Sequence, residues 1–312
     1  MLVNCTTMNE FLLMGFADRW EFRFLHSTLL LLTYLATLTG NFLIATVITL
    51  DQKLHTPMYF FLRNLSILDM CYISVTVPNA CVNSLTDNRA ISVAGCASQI
   101  FLVIYCAYVE LMFLTFMARD RYVAICQPLH YPVIMNRQFC IRATLISLTS
   151  GLLYAGAHTG NTFRLSFCQS NVVHQFFCDV PSLLKLSSSN TFSNELLSFV
   201  TIMGVGGSCT IFIAWSYTHI FSTIFKVPTK ERGKAFSTCV PHIIVVSVFL
   251  SSGSYVYLKP SVTSETVQDM ILSVFYVIVP PFLNPIIYSL RNKQIKEALR
   301  KVVLNKFYSE KL

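Results

Sequence analysis

Charge is what this sequence has least of. Asp, Glu, Lys and Arg make up 12% of 312 residues, and 54% are hydrophobic. A soluble protein carries roughly 25% charged residues, so a soluble fold is excluded first. The short alternating segments of a membrane β-barrel are also missing. No linker, low-complexity tract or repeat of roughly 20–50 residues divides the chain. There is no removable leader pattern: Asn9, Glu10, Asp18, Arg19 and Glu21 surround the single apolar run Phe11–Phe16. Catalytic signatures are absent as well. No HExxH, nucleotide-binding loop or Ser–His–Asp constellation stands out, so the chain reads as a non-enzyme without a cofactor.

What is present is a series of apolar stretches, each close to the roughly twenty residues that cross a bilayer. Seven are visible, at about 26–50, 58–80, 97–120, 140–160, 196–225, 235–258 and 268–290. The fourth is the weakest, diluted by Thr144, Ser147, Thr149 and Ser150. Helices satisfy their own backbone in lipid, so the expected fold is an all-α membrane bundle of seven transmembrane helices. The division is an outer tail (1–25), the seven-span domain (26–290) and an inner tail (291–312).

Basic residues set the orientation. One side holds Arg19, Arg23, Arg89, Arg164, Lys185 and Lys259, and the other 17 of the 23 basic residues lie on or next to the opposite side. The N-terminus is therefore expected outside and the C-terminus in the cytosol, in a plasma-membrane protein. The net charge of +8 reflects that orientation rather than nucleic-acid binding, and a basic inner face suits anionic headgroups. Asn4-Cys5-Thr6 is a glycosylation sequon on the outer tail, with Asn4 as the acceptor. Cys96 opens span three on the oxidising side, and Cys168 and Cys178 share the long outer loop. Cys96–Cys178 is the preferred pair. A metal held by His174 and Cys178 is disfavoured by that oxidation.

Few ionisable residues interrupt the spans. A charge at a helix centre costs roughly 2.5–3.5 kcal/mol on insertion scales, so Asp69 and Glu110 should face the bundle interior. Asn41 and Asn284 lie on spans that reach the same region. The four read either as a polar site holding a small cation such as sodium, or as inter-helix hydrogen bonding with one carboxyl protonated. At the inner end of span three, Arg119-Asp120-Arg121 arrive together. Asp120 can pair with Arg121, and an arginine able to leave that pair is a two-state device; the plainer reading is a positive-inside anchor. On the outer half of span three, Val103, Ile104, Ala107 and Tyr108 fall at helical spacing. With Ser254 and Tyr257 they suggest a mostly apolar ligand pocket with a few hydroxyls; ordinary helix packing is the alternative. After span seven, Ile295, Leu299, Val302 and Val303 share one face of an amphipathic helix suited to the inner membrane surface.

Long strings then carry a resemblance. "DRYVAIC" (120–126) with "PLHY" (128–131) resembles the third-span signature of vertebrate odorant receptors, within the rhodopsin-like G-protein-coupled receptors. "GN" (40–41), "LHTPMYFFLRNLSILD" (54–69), "KAFSTCVPH" (234–242) and "PPFLNPIIYSLRN" (280–292) follow the same family in order. The resemblance covers essentially the whole chain. It implies a receptor that binds a small volatile molecule outside and activates a stimulatory, olfactory-type G protein inside, raising cyclic AMP, in the cilia of olfactory sensory neurons. It further implies that Arg121 inserts toward the G protein, that Asp120 restrains Arg121 at rest and that Tyr122 completes the motif. Asn284, Pro285 and Tyr288 become the span-seven switch, and His242 a cytoplasmic switch contact. Asp69 and Glu110 become the interior site, and Cys96 and Cys178 the outer disulfide.

Four positions depart from the pattern. Arg119 stands where the family usually has Tyr, and reads as a snorkelling side chain or a competitor for Asp120. Ser188 replaces a third loop cysteine, leaving Cys168 without its usual partner. Leu250 takes the place of a tyrosine in span six. Pro241 lies inside that span, where a proline removes a helix hydrogen bond. A transporter is disfavoured by the absence of paired inverted repeats. A receptor for a peptide, lipid or amine is disfavoured by the span-two and span-six strings and by a span six without tryptophan, and an amine also because no Asp lies near position 103.

Overall fold

The computed structural model describes residues 9–14, 20–86, 88–168, 170–226, 229–258, 267–292 and 294–301. The side chains at 229–231, 234, 254–258, 267–273 and 290–291 are outside that description. So are Asn4, Val302 and Val303, and with them the proposed glycan acceptor and half of the amphipathic face.

Helix α1 (Trp20–Leu50) is followed by α2 (Pro57–Thr86), α3 (Val93–Cys126) and α4 (Arg137–Thr162). Helix α5 (Phe192–Ile224), α6 (Thr229–Leu258) and α7 (Val267–Arg291) complete the series. The first six contain stretches long and apolar enough to cross a bilayer. The seventh continues, after a bend of 87°, into the short α8 (Gln294–Lys301). The seven-helix, all-α architecture read from the apolar runs is the one found.

Local chemistry fixes the ends. Pro57 opens α2, where its missing N–H is one the helix could not use. Ser92 caps α3 by accepting from the Gly95 N–H at 3.1 Å, and Asn136 caps α4 by accepting from the Phe139 N–H at 2.8 Å. Helix α1 starts at Trp20, before the apolar run, because an exposed first turn can be polar and needs no lipid. Within α5, Ile202–Gly206 forms a wide π turn between two α-helical segments. Gly204 and Gly206 lie in that turn; a β-carbon would meet open space at the first and ordinary contact with Ile202, at 4.0 Å, at the second.

Helix α3 is the axis of the bundle, packed against α2, α4, α5 and α6. Gly40 of α1 lets α7 approach closely: a β-carbon there would lie 3.0 Å from Pro285 Cγ. Large apolar side chains such as Leu153 and Ile211 point outward, a surface that only lipid makes favourable.

A small sheet, unmarked by any periodicity in the sequence, lies at the end of the bundle that carries the N-terminal segment. Strand β1 (Glu10–Leu13) pairs antiparallel with β2 (Ala90–Ser92) and parallel with β3 (Val172–Val173). Phe11 and Leu13 are buried in a cluster with Cys96, Ile104, Cys178 and Leu183, so the segment 9–14 is part of the packed structure.

Candidate functional site

Two layers of side chains matter, one in each half of the bundle. In the outer half the long loop is pinned down on α3. Cys96 and Cys178 form a disulfide across 82 residues of sequence, as expected. Beside it, buried Gln99 donates to the Val75 carbonyl (3.0 Å) and accepts from the Cys178 N–H (2.8 Å). Phe176 and Phe177 follow the loop inward and pack on Val103, Tyr72 and Val277. Cys168 is disulfide-bonded too, which corrects the expectation of a cysteine left over; its partner lies outside the described residues. Ser188, standing where a cysteine was expected, still ties the loop together. Its backbone N–H and hydroxyl both donate to the Ser166 carbonyl, at 2.9 and 2.8 Å.

Beneath this cap lie the pocket candidates. Val103 and Ile104 are buried, the first among the loop phenylalanines and the second beside Phe11 and the disulfide. Ala107 is half-buried next to Val103's cluster. Tyr108 donates to Ser150 Oγ at 3.1 Å and lies 4.8 Å, ring to ring, from Tyr154. The side chains of Ser254 and Tyr257 fall outside the description, so the span-six wall is not part of this geometry. Three other groups join instead: Tyr154 and His158 of α4 and Thr201 of α5. His158 Nε2 lies 3.0 Å from Thr201 Oγ1, whose own proton goes to the Leu197 carbonyl at 2.7 Å. The hydroxyl therefore accepts, and His158 Nε2 carries the hydrogen. The signal in the sequence was Tyr154 and His158 at a spacing of four, which shares one helix face.

In the inner half, polar groups join helices. Asn284 Nδ2 of α7 donates to Asp69 Oδ2 of α2 at 2.9 Å and lies 3.4 Å from Glu110 Oε1 of α3. All three are buried, and Asp69 Oδ1 has no hydrogen-bond partner. Two carboxyl groups around one amide, with an orphaned oxygen, form a donor set that fits a small hard cation or a shared proton. Asn41 does not join them. Its amide donates to the carbonyls of Thr37 (3.1 Å) and Pro281 (3.0 Å), tying α1 to α7.

One turn further in, His242 of α6 is fully buried between two partners. Its Nε2 lies 3.0 Å from the Leu114 carbonyl and its Nδ1 2.7 Å from the Tyr217 hydroxyl. A carbonyl can only accept, so Nε2 carries the proton and Nδ1 accepts from Tyr217. One imidazole thus joins α3, α5 and α6. Its burial beside two such partners makes it a satisfied inter-helix contact. Helix α6 continues through Pro241. Leu250, missing the expected hydroxyl, packs half-buried on the main inner core.

The Asp120–Arg121 pair expected at the exit of α3 is not formed at ion-pair distance. Asp120 Oδ1 instead accepts from the Tyr131 hydroxyl of the inner loop at 2.8 Å. Burial and the nearby Asp120 carboxylate raise the Tyr131 pKa, so the phenol keeps its proton and stays a donor. With its neighbour satisfied, Arg121 turns inward. Its Nε is buried without a hydrogen-bond partner, and its charge acts on Tyr217, Cys239, His242 and Tyr288. The Tyr288 hydroxyl is also buried without a partner. Tyr122 stacks toward α5, 4.9 Å from Trp215. Arg119 lies over the Phe139 ring at 4.7 Å, so it does not compete for Asp120. The following loop exposes Leu129, at 90% the most accessible of the large hydrophobics.

Squid rhodopsin has the same fold: its crystal structure superposes with a TM-score of 0.73 over 91% of this chain and 85% of its own, at 17% identity. That likeness fixes the fold as a seven-helix bundle. Residues 30–306 match the family model described as "Olfactory receptor". The human "Olfactory receptor 14C36" is 65% identical over 98% of this chain and 99% of its own length. The human "Olfactory receptor 14A16" is 50% identical over the same shares. The chain belongs to the olfactory receptor family. It is a multi-pass membrane receptor for a small molecule, acts through a G protein, and is not an enzyme.

Proposed function

We propose that this receptor binds a volatile, weakly polar molecule from outside and activates a stimulatory G protein of the olfactory type, raising cyclic AMP. The N-terminus faces outward, Asn4 carries a glycan, and the working location is the ciliary membrane of olfactory sensory neurons. The ligand sits under the outer loop against Val103, Ile104, Ala107 and Tyr108, with Ser254 and Tyr257 contributing from span six. Tyr154, His158 and Thr201 supply the polar edge on the opposite wall. Asp69 and Glu110, held by Asn284, carry a small cation such as sodium in the resting receptor; it would supply positive charge between the two acids.

The observation that carries this reading is Arg121, half-buried near the His242 contact with its Nε buried and without a hydrogen-bond partner. Switching needs α6 to move away from α3 and α5, and the His242 bonds to Leu114 and Tyr217 resist that. When they give way, Arg121 gains a path to the cytosol, where the G protein meets it with Leu129 as an apolar neighbour. Pro285 and Tyr288 of α7 close on the vacated space. Asp120 restrains the device indirectly, by holding the inner loop through Tyr131.

The test is cyclic AMP in cells carrying the receptor and an olfactory-type stimulatory G protein, challenged with a panel of volatiles. Surface staining and Arg121→Ala run beside the wild type. A dose-dependent rise that disappears in a well-surfaced Arg121→Ala receptor is expected. A rise unchanged in that variant removes Arg121 from the mechanism. A well-surfaced receptor that responds to the panel through a different G protein removes the stimulatory assignment.

A further inference from the structure

The inner end of the bundle holds a cavity, far from the proposed ligand site and outside the switch. Its volume is about 610 Å³, and it opens where the α1–α2 turn faces the start of α4. That size is within the range of small-molecule sites. Its polar groups are all cationic or neutral: Arg63 of α2, Arg137 of α4 and His55 of the turn. No carboxylate lines it. The nearest acid in the turn, Asp51, is already engaged, accepting from the Lys53 N–H at 3.0 Å and lying 3.9 Å from Lys301 Nζ. Two helices also begin at the cavity, α2 at Pro57 and α4 at Arg137, and helix N-termini favour anions.

Arg63 is the informative residue. It is half-buried on the lining, its guanidinium lies 5.7 Å from the Phe60 ring, and its Nε is buried with no hydrogen-bond partner. A charge placed so leaves a donor unsatisfied until an acceptor arrives. The cavity floor is apolar: Leu54 and Met135 are buried there, and Ile141 is exposed at the rim. An acceptor with several negative oxygens and an attached apolar body matches both halves of that lining.

We propose that this cleft binds an anionic phospholipid of the inner leaflet, of the phosphoinositide class. Arg63 and Arg137 take the phosphates and the apolar floor takes the start of an acyl chain. Arginine suits this because its planar fork binds phosphate oxygens in pairs. The lipid would bridge α2 to the first turn of α4, immediately after the loop that holds Asp120 through Tyr131. The proposal takes its leaflet from the orientation given above, but its test does not, because a nanodisc exposes both faces.

The experiment uses the purified full-length receptor in nanodiscs of phosphatidylcholine with a minor fraction of photoactivatable phosphatidylinositol bisphosphate. Crosslinking is read on the receptor. The Arg63→Gln, Arg137→Gln double variant should capture about tenfold less lipid, two cationic contacts having gone. An Arg232→Gln, Lys226→Gln control on the same face should capture as much as the wild type. Equal capture by the first variant, or equal loss in both, overturns the proposal, the second by showing a diffuse basic surface. Soluble inositol phosphates should displace little of the bound lipid. Full displacement at matched concentration overturns the lipid assignment in favour of a free phosphate ligand. If the arginine variant melts lower than the wild type, Ile141→Trp replaces it, narrowing the apolar wall with the charges intact. Reduced crosslinking is expected there, and undiminished crosslinking overturns the proposal.

Discussion

The two ends of this bundle are held by different kinds of bond. The outer half is closed by covalent and apolar means: the Cys96–Cys178 disulfide, the Phe11 strand, and Phe176 and Phe177 packed on α3. The inner half has a large apolar core of its own but no disulfide among the described residues, and single hydrogen bonds cross it: Asn284 to Asp69, Tyr217 to His242, His242 to Leu114, and Tyr131 to Asp120. A disulfide does not open on the timescale of signalling, whereas one buried hydrogen bond is worth about 1 kcal/mol net. The lesson is a division of labour. On the function proposed above, the covalently closed end would discriminate ligands and the end crossed by single hydrogen bonds would switch.

Breaking the outer end should have the largest effect. Cys96→Ser or Cys178→Ser removes a native disulfide, a loss of about 2–5 kcal/mol, and should abolish surface staining in intact cells. Gly40→Ala comes next. A β-carbon 3.0 Å from Pro285 overpacks the α1–α7 contact, costing about 1–3 kcal/mol, and should lower the melting temperature of the purified receptor. Tyr217→Phe sharpens the comparison by removing one inner hydrogen bond while keeping the ring. A loss of about 1 kcal/mol from the resting state should raise ligand-independent cyclic AMP several-fold at matched surface density. Arg119→Ala should do least. It forfeits a cation–π contact worth about 0.5–1 kcal/mol, and should leave both basal and stimulated cyclic AMP within twofold of the wild type.

What the sequence revealed and what it hid follow from how local each interaction is. The seven helices were legible because bilayer thickness imposes a length on every apolar run. Asp69 and Glu110 were legible as a pair because charges in lipid must face inward, although only the folded bundle could join them through Asn284 and turn Asn41 to Pro281. Asp120 was misjudged. Its acid has an arginine on either side, but the group that reaches it, Tyr131, is brought there by a helical turn beginning at Pro128. Strand β1 was invisible because four residues carry no periodicity, and its pairing partners lie about 80 and 160 residues downstream. The disulfide at Cys168 is not legible from loop spacing, because Ser188 occupies the position where the spacing would put its partner. The ligand pocket stays the least legible part, since its walls come from several helices and no single spacing marks them.

The π turn in α5 has a consequence for rotation. Each residue of an α-helix turns the chain by about 100°, and a π turn accommodates one residue more than the α repeat would. The faces of α5 above and below Ile202–Gly206 are therefore out of phase with a straight helix. Thr201 faces His158 on one side of the turn, and Tyr217 faces His242 on the other. A straight α5 that kept the first contact would aim Tyr217 away from the second. The wide turn acts as a phase shifter, letting one helix serve two partners whose directions no uniform α-helix could satisfy together.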